Sequence, residues 1–110
     1  MQGFDVDAAA SRLAEAGGGY EVVHESPGLE IGVYVLVAPA PDRQTPHLFD
    51  EIYVVLDGEG EIDVEGEVRH VSKGDAVFVA AHAAHRFSRY GRLSLLVIFN
   101  GPHTASKTAT

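Results

Sequence analysis

Residues 45–58 read TPHLFDEIYVVLDG, and the parsing of this stretch decides the fold. From Glu51 to Leu56 runs a short series of β-branched, aromatic and aliphatic residues, with Pro46 and Asp50 before it and Asp57-Gly58 after it. Such a run is a strand, because branched and aromatic side chains suit a pleated, half-buried surface while Pro, Asp and Gly interrupt one. Asp57-Gly58 predicts a tight hairpin, since both central positions of that turn need a positive φ that Asp and Gly tolerate.

Working outward, the same cadence recurs from Tyr20 onward, with apolar runs separated by SPG, PAPD, EGE, SKGD and RYGR and no helical period between them. That is the pattern of an all-β sandwich or barrel. Strands are expected at Tyr20–Glu25, Leu29–Ala38, a short piece ending near His47, Glu51–Leu56, Glu61–Val64, Glu67–Val71, Ala76–Ala80, His85–Arg89 and Leu93–Asn100. Within Leu29–Val37, Ile31, Val33, Val35 and Val37 share one face while Tyr34 and Leu36 make the other apolar. A strand covered on both sides implies a second sheet or a homodimer. Ahead of the barrel, DVDAAASRLAEA (Asp5 to Ala16) is alanine-rich, begins with acids and is followed by Gly17–Gly19, which predicts a short helix. The ending GPHTASKTAT is small and polar and reads as a frayed tail over 101–110. The expected organisation is one domain over 1–110, with the helix at about 5–16 and the barrel at about 20–100.

At 110 residues and 11.7 kDa, size scaling gives a folded surface of roughly 5,900 Å² against roughly 17,000 Å² unfolded, enough burial for a modest core without staples. The absence of Cys excludes disulfide scaffolds, thiolate zinc sites, iron-sulfur clusters and cysteine nucleophiles, so a metal would need N and O ligands. A net charge of −8 has the wrong sign for neutralising nucleic-acid phosphates or anionic lipid. The longest apolar run, Leu93 to Phe99, falls far short of the ~20 residues of a bilayer span. MQGFD has neither the basic region nor the apolar core of a signal peptide. A soluble, cytoplasmic protein with neither nucleic-acid nor membrane partners is expected.

The chemistry lies among the six His residues. His47, Glu51 and His85 are the best candidates to converge, two imidazoles and one carboxylate forming a facial triad with open coordination positions. On one unbroken strand His47 and Glu51 would sit about 13 Å apart, so convergence requires a turn across Leu48-Phe49-Asp50. The apolar IYVVL run places Glu51 on an interior strand, where an unpaired carboxylate is costly and a metal is a fitting partner. The bland alternative is a pair of histidines bonded to backbone carbonyls beside a solvated acid.

At these residues the chain resembles the cupin family of jelly-roll barrels. In TPHLFDEIYVVLDG, His47 matches the second His of the family's His-x-His pair, Glu51 its acid and Gly58 its closing glycine. In GDAVFVAAHAAHRFSR, Gly74 and His85 match the second motif. The resemblance spans about residues 28 to 100, most of the chain. It implies an all-β cupin-type barrel with a short N-terminal helix, binding a divalent transition metal (Fe, Mn, Ni or Zn) through His47, Glu51 and His85, and the family habit of dimerising. Four positions depart from the pattern: Thr45 replaces the first His, Ala80 the Pro and His82 the Gly of the turn, and Arg89 the Asn. A missing ligand opens a position for substrate, as a catalytic metal requires, or marks decay toward a metal-free barrel.

Two function classes follow. One is a metal-dependent enzyme of dioxygenase or isomerase type acting on a small chelating molecule; the other is a non-catalytic barrel that binds a small ligand. A weaker third is an interaction protein whose N-terminal helix swaps onto a second copy. For the enzyme, Thr45, Phe49, Tyr53 and Phe87 are read as pocket walls, Tyr53 sharing Glu51's strand face and Phe87 that of His85. His82 is the candidate general acid/base because an imidazole titrates near neutral pH. Core packing for the aromatics, and an exposed turn or loop for His82 and Thr45, are the competing readings. Arg86 would steer an anionic substrate or simply lie exposed on an edge. His24, His70 and His103 are read as structural or surface residues. DGEGE is no phosphate cradle, lacking a following helix and a nearby Lys, and no Ser has a recognisable base partner.

Overall fold

A computed structural model describes residues 1–102; the tail from His103 onward, and His103 itself, lie outside the described residues. One helix, α1 (Val6–Glu15), precedes seven antiparallel strands: β1 (Gly19–Ser26), β2 (Leu29–Val37), β3 (Glu51–Val64), β4 (Glu67–Ser72), β5 (Ala76–Val79), β6 (His85–Ser88) and β7 (Arg92–Phe99). The pairing runs β1-β2-β7-β3-β4, with β5 and β6 also on β3.

The long β3 organises everything else. Its first half, from Glu51, pairs with β5 and β7, while its second half, Glu59–Val64, pairs with β4 and, from Glu61, with β6. Asp57-Gly58, expected as a hairpin, is therefore the point where β3 passes from one sheet into the other. The register with β7 shifts between Val55 and Asp57, and Gly58 has φ +87. A Cβ at Gly58 would run into the Arg92 carbonyl, so glycine's freedom is spent on a bulge inside a strand rather than on a turn. The tight two-residue turn falls instead at Glu65-Gly66, both at positive φ, where Asp63 Oδ1 accepts the Gly66 N–H at 2.8 Å. The run EGEIDVEGE accordingly forms the β3-β4 hairpin.

The short strand expected before His47 is absent: residues 39–50 are irregular. Pro39, Pro41 and Pro46 lack the N–H groups that a ladder needs. Gly101, assigned to the frayed tail, is buried beneath the Phe49 ring.

The doubly apolar β2 has its explanation in the N-terminal segment. Asp5 caps α1 by accepting the Ala8 N–H at 2.9 Å, and Gly17 and Gly18, both at positive φ, donate back to Ala14 and Leu13 to end it. Ala9 of the helix and Val33 and Val35 of β2 are buried together, with Val6, Leu13 and Val37 packed around them. The cover that a dimer or second sheet was expected to provide is thus this chain's own helix. The opposite face of β2 joins the barrel core through Leu36, which packs with Tyr53, Val55, Ile62, Phe87, Leu95 and Phe99. Among the described residues no helix is long and apolar enough to cross a membrane.

Candidate metal centre

Strand alternation aims Glu51, Tyr53 and Val55 of β3 into the barrel and leaves Ile52 outside. On β6 the same rule turns His85 and Phe87 inward and Arg86 outward. Because β6 pairs with the far end of β3, His85 faces the beginning of β3 across the barrel rather than along it. His85 Nε2 lies 2.9 Å from Glu51 Oε1, both side chains being 1% exposed. The chain bends at Leu48-Phe49, a bend pinned where Asp50 Oδ1 accepts from Ala81 N and the Asp50 carbonyl from Asn100 N. It brings His47 Nε2 to 3.7 Å from the same Glu51 oxygen. Ligand atoms of His47, Glu51 and His85 all lie within 4.8 Å of one another.

The backbone around the histidines is built for this. His82 adopts φ +68, the position at which the cupin motif has glycine, and its N–H donates to the His47 carbonyl at 2.7 Å. The His82 side chain is exposed. His85 Nδ1 donates to the Ala83 carbonyl at 2.8 Å, which directs Nε2 at the site. The His47 ring packs edge-on against His85 and Phe99, each centroid 5.2 Å away.

Of the expected pocket residues, Tyr53 and Phe87 are buried, ring against ring at 4.9 Å, and Phe49 is half-buried over Gly101. Thr45 is exposed. The side chain that reaches the centre from this loop is Gln44, which the sequence reading passed over. Its Oε1 accepts from Tyr53 Oη at 2.7 Å and lies 3.1 Å from both His47 Nε2 and His85 Nε2. Gln44 Nε2 donates to Asp42 Oδ2 at 2.6 Å. Asp42, also passed over, is buried and takes further hydrogen bonds from Tyr34 Oη, Phe87 N and Gln44 N. A polar pair inside an aperiodic, proline-broken loop carries no facing signal that a sequence could display. Glu30, fully buried, accepts from Tyr20 Oη at 2.6 Å and stands in register with Phe99, which in turn pairs with Glu51. Beside the loop a cleft of about 500 Å³ is lined by Arg43, Gln44, His85 and Arg86 among others; neither arginine joins an ion pair among the described residues.

The electrostatics suit a cation. Burial raises the Tyr53 phenol well above its ordinary range, with the Glu51 charge adding to the shift, so Tyr53 is a neutral donor. Burial pulls the His85 imidazole down, but hydrogen bonds to Glu51 and the Ala83 carbonyl outweigh it and hold the group above 6.5. Glu51 Oε2 is buried with no hydrogen-bond partner. A buried carboxylate with one oxygen beside two imidazole nitrogens and the other without a hydrogen-bond partner is a donor set that fits a divalent metal.

A family model for the Cupin domain matches residues 33–99. An uncharacterized protein of Streptomyces coelicolor is 33% identical over 105 residues, covering 94% of this chain and all of that relative. Among solved structures, the DMSP lyase DddQ of Ruegeria pomeroyi is 27% identical with a TM-score of 0.70, over 76% of this chain and 47% of that one. A salicylate 1,2-dioxygenase of Pseudoaminobacter salicylatoxidans, solved with gentisate, shares the fold at 14% identity and a TM-score of 0.76, over 94% of this chain and 33% of that one. This chain thus spans less than half the length of either enzyme. The domain match embraces β3, β6 and the three converging side chains, and on that ground the chain belongs to the cupin family.

Proposed function

We propose that this cupin is a metal-dependent enzyme whose centre is held by His47, Glu51 and His85, acting on a small organic substrate by isomerase- or dioxygenase-type chemistry. The observation that carries the reading is the buried Glu51 carboxylate, whose Oε1 approaches two inward imidazoles while Oε2 has no hydrogen-bond partner. An ion bound there (Fe, Mn, Ni or Zn) supplies Lewis acidity toward substrate oxygens and, where redox-active, competence for dioxygen chemistry. Structural kinship with a lyase and with a dioxygenase supports an enzyme over a bare binding barrel.

The chain's own residues supply the rest. Ala83 fixes the His85 ring and the His82 N–H holds the His47 backbone, so both imidazoles are oriented before anything binds. Tyr53 Oη, held neutral, donates its hydrogen bond to Gln44 Oε1 and lies 3.0 Å from His85 Nε2 at the same point. Phe87 and Phe99 wall the site and exclude water. The exposed His82 would exchange protons with a substrate only from the turn side. Arg43 and Arg86 beside the cleft support a substrate bearing a single anionic group, which the protein's overall charge would not strongly repel.

The test is elemental analysis of untagged protein purified without chelator, beside His47→Ala and His85→Ala. Near one equivalent of a transition metal, lost in both variants, is expected, followed by turnover in a panel of small keto, phenolic and hydroxy acids. No metal in the wild type after anaerobic Fe(II) or Mn(II) reconstitution overturns the reading in favour of a metal-free ligand-binding barrel.

A further inference from the structure

We propose that the side-chain carbonyl of Gln44 is the fourth protein ligand of the centre, replacing the ligand missing at Thr45, and that Asp42 is the residue that orients it. This rests on the metal reading above. Two atoms bound to one ion at about 2.1 Å, at octahedral or tetrahedral angles, lie about 3.0 to 3.4 Å apart. Gln44 Oε1 lies 3.1 Å from each imidazole Nε2, while Glu51 Oε1 lies 2.9 Å from His85 Nε2 and 3.7 Å from His47 Nε2. Gln44 Oε1 therefore stands at ligand spacing from both histidines, whereas Thr45, next in sequence, is turned to solvent.

A carboxamide offers an oxygen that can ligate and an NH₂ that cannot, so a glutamine serves only if its flip is fixed. Asp42 fixes it. A carboxylate only accepts, so the NH₂ group of Gln44 must face Asp42 Oδ2 at 2.6 Å and the oxygen must face the histidines. Asp42 cannot turn away, because the same carboxylate holds Tyr34 Oη at 2.7 Å and the Phe87 N–H at 2.9 Å. Four hydrogen bonds to a residue 3% exposed make a rigid support for an otherwise flexible side chain. The ligand set becomes two imidazoles, one carboxylate and one neutral amide oxygen. That leaves the net charge of the donor set at −1, as a histidine at Thr45 would.

The experiment is Co(II) titration by chelator competition, with the visible ligand-field spectrum recorded, on wild type, Gln44→Ala, Gln44→Glu, Asp42→Asn and the Gln44→Glu/Asp42→Asn double variant. Far-UV circular dichroism of each apo protein reports folding. In Gln44→Ala we expect one equivalent of Co(II) still bound, at about 10- to 100-fold lower affinity and with shifted bands. Gln44→Glu, whose second oxygen would oppose the Asp42 carboxylate, should recover affinity only when paired with Asp42→Asn, and Asp42→Asn alone should weaken binding in the same direction as Gln44→Ala. A Gln44→Ala protein with wild-type affinity and spectrum overturns the ligand assignment while leaving the three-residue centre standing. Failure of the folded Gln44→Glu/Asp42→Asn double variant to recover affinity also overturns it. A wild type that takes up no Co(II) overturns both the assignment and the metal reading on which it rests.

Discussion

Replacing Glu51 by glutamine separates what the carboxylate does for the fold from what it does for a metal. In the metal-free protein Glu51 Oε1 is paired with His85 Nε2 at 2.9 Å, but Oε2 is buried with no partner. A buried acceptor left unsatisfied costs about 1–3 kcal/mol, and more when charged. The Glu51→Gln variant keeps the shape, removes the charge and loses the attraction to a protonated His85. His85 is held above 6.5 in the fold. Its protonated form therefore stabilises the native state fully below the unfolded value, and that contribution is lost as pH rises through the raised folded value. The sign of the substitution should consequently invert with pH. Below the unfolded imidazole value the variant loses the ion pair and melts lower than wild type; at an alkaline pH above the raised folded value His85 is neutral in both proteins and only the relief of a buried charge remains. There the apo variant should be more stable by about 1–3 kcal/mol, which for a domain of this size raises Tm by about 4–8 °C per kcal/mol. Calorimetric melts in chelator at both pH values measure this, and metal uptake by the same variant should fall at least about 100-fold. An apo variant clearly less stable than wild type at the alkaline pH would show that Oε2 is satisfied without a metal, which refutes the metal reading of Glu51.

Three further outcomes are expected. Metal binding must displace the His85 proton, so apparent affinity should rise about tenfold per pH unit below the raised His85 value and then level off; affinity flat across that range, with no proton released on binding, would contradict the assignment. Gly58→Ala forces a side chain into a positive-φ position and against the Arg92 carbonyl, costing at least about 1–2 kcal/mol, which a urea midpoint would register; an unchanged midpoint would refute the strand-crossing bulge. Asp5→Ala removes the cap of α1 and should cost about 1 kcal/mol, with hydrogen exchange accelerating first at the amides of α1 and then across its contact with Val33 and Val35; loss confined to the helix would show that α1 does not hold β2.

The parts of the molecule that were readable from the chain are those where a period carries meaning. Alternation placed Glu51 with Tyr53 and His85 with Phe87 on common inward faces, because a strand obeys a period of two whatever its neighbours do. Composition located α1, since a capped alanine-rich segment closed by three glycines has one good conformation. What stayed hidden depended on partners distant in sequence. Asp57-Gly58 satisfies a hairpin and a bulge equally well, and only the approach of Arg92 decides between them. The apolar outer face of β2 states that a cover exists without saying whether it comes from the same chain or another.

The loop before Glu51 shows the same limit at the site itself. A His-x-His pair works because residues two apart on an extended segment face the same way, and by that rule Thr45 belongs beside His47. Proline at 39, 41 and 46 prevents residues 39–50 from being such a segment. Once the period of two is gone, nothing obliges 45 and 47 to share a face; here 44 and 47 do. The threonine is then no sign of a decayed site. It stands at a position that the local backbone has turned to solvent, and the donor that a sequence motif seeks at one residue is offered, one residue earlier, by a side chain whose direction Asp42 dictates. Whether a barrel of this kind holds a metal is therefore a question about which loop atoms reach the axis through Glu51 and His85, and counting residues along a motif answers it only where the loop is itself a strand.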